Sequence, residues 1–200
     1  MSLATPDSAV AAARELARGF AEKAAHYDRT GEFPRENFTR LRDAGLLNLT
    51  VSGAHGGAGF GLAVAAEAIG ALAAGEASTA LVLAMQYMFQ ATIARNAAWP
   101  AHLRERLARE SVAGMALVNA LRVEPELGTP ARGGLPLTMA TRTADGWQLT
   151  GRKIYATGIP VLRWLIVWAR TPEAESLVGL WLVPAAAPGV LVLDTWDHAG

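Results

Sequence analysis

The chain has 200 residues, of which 52% are hydrophobic, and its 18 basic and 18 acidic residues cancel to a formal net charge of zero. This length and apolar content suit one large or two small globular domains with a sizeable core, and they exclude a disordered chain. The charge balance argues against a nucleic-acid-binding or membrane-surface protein, because both usually carry a basic face. The lack of cysteine excludes disulfides, thiolate metal sites and cysteine nucleophiles.

The beginning of the chain is predicted to be helical. Apolar residues recur at three- and four-residue steps from about Pro6 to His26, which predicts one amphipathic helix. Pro34 then opens a short helix with Phe38 and Leu41 on its buried side. Gly45 lies where a helix C-cap glycine belongs.

A glycine-rich stretch, VSGAHGGAGFG, follows from Val51 to Gly61. Its glycines do not have the G-x-G-x-x-G spacing of a dinucleotide loop, and no phosphate-binding lysine follows them. We interpret it as a connector between helices. A loop at the mouth of a site, with His55 as its ionisable group, is the alternative.

The stretch from Leu62 to Arg95 is apolar but carries enough polar residues to argue against a membrane span. It predicts two alanine-rich helices that meet near Gly75, the second of them nearly all buried. Gln86 and Gln90 are the polar groups expected at the wall of any cavity beside this second helix. A last short helix is predicted from about Pro100 to Glu110.

After residue 111 the apolar period changes from helical to alternating, which predicts strands. Asp145-Gly146 is a strong hairpin turn signal between two of them. Segregated helices and strands indicate an α+β protein. We predict a helical domain over residues 1–111 and an antiparallel, barrel- or sandwich-like β domain over residues 112–200. The further strands are predicted at residues 115–123, 163–171 and 177–185, and from residue 189 onward.

No group of side chains predicts chemistry by itself. The four histidines are scattered without metal-ligand spacing, so no metal site is predicted. No nucleophile elbow and no H-E-x-x-H motif occur. A bound cofactor would therefore have to supply the chemistry. Of the two lysines, Lys23 and Lys153, the second lies in a motif considered next.

Several motifs occur in a recognisable order in the second half of the chain. An EP-x-x-G-T loop spans Glu124 to Thr129, an x-T-x-A strand includes Thr138 and Ala140, and G-x-K-x-aromatic-x-T spans Gly151 to Thr157. Together with the preceding helices, this order is similar to the acyl-CoA dehydrogenase family of flavoproteins. The resemblance covers essentially the whole chain.

The resemblance implies FAD as cofactor. Gly128 and Thr129 match residues that the family places against the flavin pyrophosphate and the substrate thioester, and a hydroxyl beside backbone amides suits phosphate oxygens. Tyr155 and Thr157 match an aromatic beside the isoalloxazine ring and a hydroxyl near its N5 edge. The implied cofactor-binding residues are Arg122, Val123, Gly128, Thr129, Tyr155, Ala156 and Thr157, and the implied substrate-binding residues are Thr129 and Gln86.

The loop departs from the family pattern in three ways. Thr129-Pro130 stands where Ser-Asp is usual. Val123 stands where a threonine is usual, so a hydroxyl near the flavin is lost and only the backbone of Arg122 and Val123 could serve. The inserted ARGGLP, residues 131–136, lengthens the loop. These three departures weaken the inference to ordinary fatty acyl-CoA substrates more than the inference to flavin.

The activity implied is α,β-dehydrogenation of an acyl thioester, with hydride transfer to flavin N5. The family's glutamate base lies in a C-terminal helical domain that this sequence lacks, so no catalytic residue is assigned in this chain. The complete protein is expected to be cytoplasmic and to form a homodimer or homotetramer, with the substrate and electron acceptor unassigned. Two alternatives stay open: a flavin-dependent monooxygenase of the same fold, and a non-catalytic remnant that binds flavin, a CoA-like ligand or a partner protein.

Overall fold

The computed structural model describes residue 3, residues 5–127 and residues 133–196. The chain divides into two compact units. The helical unit runs up to Leu117 and includes the described residues from Leu191 onward, and the sheet unit lies between Val118 and Val190. Helices and strands are thus segregated along the chain, which confirms the α+β class.

The described residues of the helical unit form five α-helices. They are α1 (Pro6–Thr30), α2 (Arg35–Asp43), α3 (Leu62–Ala73), α4 (Ala77–Arg95) and α5 (Ala101–Ala113). The side chain of Thr5 caps the start of α1 by accepting from the Ser8 amide, and Gly31 ends the helix in the left-handed conformation with φ 68°. The predicted end at His26 was therefore too early, since the helix continues to Thr30 before this cap.

The helical core confirms most of the predicted packing. Phe38 and Leu41 are fully buried on α2. A methyl group on Gly75 would lie 2.2 Å from the Ala17 carbonyl oxygen, so the turn between α3 and α4 approaches α1 as closely as glycine allows. The prediction that α4 is nearly all buried was wrong, because Leu81 and Met88 are each 49% exposed. The helix buries one stripe of residues at three- and four-residue steps.

The sheet has the order β1-β4-β2-β3, with β5 also paired to β4. Its strands are β1 (Leu117–Leu121), β2 (Met139–Thr143), β3 (Gly146–Thr150), β4 (Leu162–Arg170) and β5 (Val178–Pro184). The hairpin of β2 and β3 closes at Thr143 and Gly146, as the Asp145-Gly146 signal predicted. The β4 and β5 strands form a second antiparallel pair, from Trp164 opposite Pro184 to Arg170 opposite Val178.

The structure corrects two sheet predictions. The pair of β2 and β4 is parallel, with Met139 opposite Arg170, so the sheet is mixed and not wholly antiparallel. Two reversals of the chain, into β3 and then into β4, restore the direction of β2, and β4 lies beside β2. The predicted strand from Gly189 is also wrong, because residues 189–196 have no strand assignment. Periodicity suggested that strand, but a strand also needs a neighbour to pair its backbone groups.

Among the described residues, no helix combines the length and apolar content needed to cross a membrane. The same residues contain no group of three or more His, Cys, Asp or Glu side chains placed to hold a metal ion.

Candidate functional site

Two motifs that are distant in sequence meet within the sheet unit. The Val123 carbonyl oxygen, just beyond β1, accepts a hydrogen bond from the Ile154 amide at 3.0 Å. Within β1, the Asn119 side-chain amide donates to the Thr157 carbonyl oxygen at 2.9 Å. The end of β1 and the segment Gly151–Gly158 are therefore fixed side by side.

The three residues Tyr155–Thr157, here called the site turn, have an unusual backbone. Tyr155 is the one non-glycine residue with positive φ, at 55°, in the described part of the chain. The Tyr155 carbonyl oxygen accepts from the Thr157 amide, and that of Ala156 accepts from the Ile159 amide, both at 2.9 Å. Left-handed backbone costs a non-glycine residue about 1–3 kcal/mol and is enriched at ligand sites. The Tyr155 side chain is exposed, since the residue has 63% of its surface accessible.

Both backbone polar groups of Thr157 are hydrogen-bonded. Its amide donates within the site turn and its carbonyl oxygen accepts from Asn119. Its side-chain hydroxyl makes no hydrogen bond to any residue that the structure describes. The hydroxyl of this half-buried residue is therefore available to a ligand, on a backbone that is held in place.

Glu124 and Lys153, here called the anchor pair, connect the two motifs through their side chains. Lys153 Nζ lies 2.7 Å from Glu124 Oε1, and the two side chains are 7% and 1% exposed. The Glu124 carboxylate also accepts from the Leu137 amide at 2.7 Å and from the Thr138 amide at 2.9 Å. The Thr138 hydroxyl donates to it at 2.5 Å. Four donors thus satisfy one buried carboxylate.

These contacts set the protonation of the anchor pair. Burial alone would raise the pKa of Glu124, but the hydrogen bonds from Lys153, Thr138 and two backbone amides outweigh it and lower that pKa to about 2. Burial lowers the pKa of Lys153, and the Glu124 carboxylate opposes that shift. A carboxylate with this pKa and four donors is a weak base, so Glu124 is a structural residue and not a general base.

Close packing surrounds the anchor pair. Lys153 Nζ lies 5.4 Å from the ring centre of Trp168 on β4, within the range of a cation–π contact. A methyl group on Gly151 would lie 2.4 Å from the Thr138 hydroxyl oxygen. Glycine at the start of the G-x-K motif therefore lets the strand end approach the residue that binds Glu124.

The structure describes five of the seven predicted cofactor-binding residues. Arg122 is exposed, Val123 is half-buried, and both follow β1 directly. Gly128 and Thr129 lie outside the described residues, so their predicted contact with the pyrophosphate stays a prediction.

Gln86, the second predicted substrate residue, belongs to the helical unit. It is 1% exposed, and its side-chain amide donates to the Ser111 hydroxyl at 3.1 Å. Its role toward a substrate also stays a prediction.

Sequence reasoning missed Asn119 and the anchoring role of Glu124. Asn119 lies inside an apolar strand, where its 5% exposure gives a polar side chain no access to water. A polar residue in such a run is the signal that a specific partner must exist. Glu124 was visible as part of the EP motif, and Lys153 as one of only two lysines, but their pairing depends on the fold.

The family of this chain follows from its sequence match. Residues 7–114 match the family described as acyl-CoA dehydrogenase, N-terminal domain. The chain belongs to the acyl-CoA dehydrogenase family. This confirms the resemblance that the motifs indicated.

Relatives with different activities share this fold. The chain is 31% identical over 182 residues to the putative acyl-CoA dehydrogenase YdbM of Bacillus subtilis, covering 91% of this chain and 47% of that protein. It is 34% identical over 187 residues to L-evernosamine nitrososynthase of a Micromonospora species, covering 89% of this chain and 42% of that protein. The crystal structure of FMN-bound TdsC from Paenibacillus aligns with this chain with a TM-score of 0.81 and 25% identity. The alignment covers 94% of this chain and 47% of TdsC. The chain thus spans about half the length of the relatives it matches.

Proposed function

We propose that the sheet unit forms part of a flavin site in an oxidoreductase of the acyl-CoA dehydrogenase fold. The observation that carries the proposal is the site turn, where a strained backbone presents an exposed aromatic ring and a hydroxyl without a described partner. A flat heterocycle with hydrogen-bonding edges suits both groups. FMN-bound TdsC, which shares the fold, supports the choice of flavin.

Each residue of the site turn has a separate part in this proposal. The Tyr155 ring offers an apolar face against which the flavin ring packs. The Thr157 hydroxyl donates to the flavin edge, and Asn119 holds the carbonyl of the same residue so that the hydroxyl keeps its position. The backbone of Arg122 and Val123 lies beside the turn because Val123 is bonded to Ile154. Bound flavin supplies hydride-accepting or oxygen-activating chemistry that the side chains lack.

The finer function we propose is FAD-dependent α,β-dehydrogenation of an acyl thioester. The EP-x-x-G-T loop, the G-x-K-x-aromatic-x-T motif and the likeness to YdbM support it. Thr129 and Gln86 are the proposed substrate-side residues. Glu124 is not the base that removes the α proton, because its low pKa and four hydrogen bonds hold it as an anion in the interior. We place that base outside the residues described.

A second function, flavin-dependent monooxygenation, has its own support. Val123 lacks the hydroxyl that the dehydrogenase pattern places near the flavin. The likeness to L-evernosamine nitrososynthase and to FMN-bound TdsC points the same way. FMN has no adenosine half, so a protein of this branch needs no contacts to that part of FAD.

Flavin titration of the 200-residue chain tests the proposal. The fluorescence of FAD and, separately, of FMN is followed as protein is added. We expect saturable quenching. Thr157→Val should weaken binding about three- to tenfold, the usual range for one hydrogen bond. Thr143→Val, at an exposed position on β2, is the matched control and should leave the affinity unchanged.

The two finer functions differ in the flavin they select. FAD binding at least about tenfold tighter than FMN would favour the dehydrogenase, because only FAD carries the adenosine half. Equal affinities, or tighter binding of FMN, would favour the monooxygenase. Failure to bind either flavin would overturn the proposed site and favour a non-catalytic remnant. A Thr157→Val variant that binds like the unchanged chain would refute the proposed role of the Thr157 hydroxyl.

A further inference from the structure

The helical unit contains a cavity that is separate from the flavin proposal. Its volume is about 270 Å³. His55, in the 3₁₀ turn Gly53–His55, forms part of its wall. Residues of the second half of α4 and of the first half of α5 also line it. Val51, Ile93 and Ala108 give it apolar surface. This volume is at the lower end of small-molecule sites, so the cavity suits a ligand smaller than a typical drug.

Two buried donors at this cavity have no partner. Gln90 lines the cavity and is 5% exposed, yet its Nε2 atom makes no hydrogen bond to the residues that the structure describes. The buried Nε atom of Arg104, also on the wall, lacks a partner in the same part of the chain. By contrast, Gln86, one turn earlier on α4, donates to Ser111. A buried donor without an acceptor costs about 1–3 kcal/mol, so two at one cavity call for an acceptor that the described residues do not supply.

We infer that this cavity binds a small carboxylate with a short apolar tail. Two unpaired N–H groups need oxygen acceptors, and the Arg104 guanidinium adds a positive charge that favours an anion. Ala101, the first residue of α5, also lines the cavity, which brings the positive end of that helix to its wall. An apolar molecule would leave both donors unsatisfied, and a cation would meet the guanidinium charge.

One acidic residue on the wall has to be reconciled with an anionic ligand. Glu105 lines the cavity, but its side chain is 54% exposed and its Oε2 atom lies 3.9 Å from an Arg109 guanidinium nitrogen. Water and Arg109 therefore screen its charge. Arg104 is half-buried: its Nη1 atom donates to the Ala94 carbonyl oxygen at 3.4 Å, and its buried Nε atom stays without a described partner.

Butyrate and butyramide are matched probes, because they have nearly the same size and shape but only butyrate is charged. Each is titrated at constant ionic strength into the ¹⁵N-labelled 200-residue chain. The side-chain N–H signals of Gln90 and Arg104 are followed by NMR. We expect butyrate to shift both signals saturably and to bind at least about tenfold more tightly than butyramide, as a charged hydrogen bond predicts.

Three variants extend the test. Gln90→Met removes the side-chain amide and Arg104→Met removes the guanidinium with its charge, and each should weaken butyrate binding at least about tenfold. Arg106→Met removes an exposed charge of the same helix that neither lines the cavity nor pairs with Glu105, and should leave binding within about twofold. If the Gln90 variant loses its helical circular dichroism, the signals of the unchanged chain decide alone. Equal shifts by both probes, no shift by butyrate, or equal losses in the two arginine variants would overturn the inference and leave solvent as the occupant.

Discussion

The anchor pair gives the sharpest stability prediction, because the chain provides its own control. Lys153 and Glu124 are 2.7 Å apart with side chains 7% and 1% exposed. Lys23 and Glu36 are 2.8 Å apart with side chains 54% and 48% exposed. The only two lysines of the chain thus form ion pairs of nearly equal length that differ in burial. Replacing each lysine by methionine keeps most of the side-chain volume and removes the charge.

The two substitutions should have very different costs. Removing one partner of a buried ion pair leaves the other charge uncompensated and costs about 3–5 kcal/mol. Glu124 keeps three further donors in Lys153→Met, which places the expected loss near the lower end, about 3 kcal/mol. Water and salt screen an exposed pair, so Lys23→Met should be nearly neutral.

Urea denaturation measures both effects, with a separate probe for each unit. Four of the six tryptophans, at positions 147, 164, 168 and 181, lie in the sheet unit, so tryptophan fluorescence mainly follows that unit. Circular dichroism of the helices follows the other. Lys153→Met should lower the free energy of unfolding seen by fluorescence.

A double-mutant cycle then isolates the pair. Glu124→Gln combined with Lys153→Met should cost less than the sum of the two single changes, because the second change no longer leaves a lone charge. Additive costs, or a Lys153→Met loss no larger than that of Lys23→Met, would refute the anchoring role.

Three further predictions concern pH, packing and the site turn. Because Glu124 has a folded pKa of about 2, below its ordinary value of 4.5, its contribution of about 3 kcal/mol is present above pH 4.5. It should be lost as the pH falls toward 2, and Glu124→Gln should flatten that part of a stability-against-pH curve. Gly75→Ala should destabilise the protein by about 1–3 kcal/mol, because the added methyl group clashes with α1. Gly70→Ala, whose methyl group would meet no atom, should stabilise the protein by about 0.5–1 kcal/mol. Thermal melts that show equal effects for the two variants would contradict this prediction. Asn119→Asp removes the donor to the Thr157 carbonyl and should weaken flavin affinity about tenfold in the titration above. Unchanged affinity would show that this hydrogen bond has no part in flavin binding.

The helices were predictable because their signals are local. The stripe of α1, the proline before α2 and the glycines that follow both helices lie within a few residues of the features they specify. The Asp145-Gly146 hairpin was predictable for the same reason, since its turn fixes the pairing of its two strands.

The wrong predictions concern features that depend on distant neighbours. Alternation indicates a strand but not its partner, so the parallel contact of β2 with β4 was not visible. The same limit explains why residues 189–196 looked like a strand and have none. The extent of burial of α4 likewise depends on what packs against each face, and not on its apolar composition.

The sequence alone determined the α+β class, the helical first half and the order of motifs that resembles the family. Each of these depends on residues that are close together in the sequence. The tertiary structure decided what these motifs contact. It paired Lys153 with Glu124 and bonded the Asn119 side-chain amide to the Thr157 carbonyl oxygen. It also brought two donors without a described partner to one cavity of the helical unit. A buried polar group must find its partner in space, and that partner can lie anywhere in the chain.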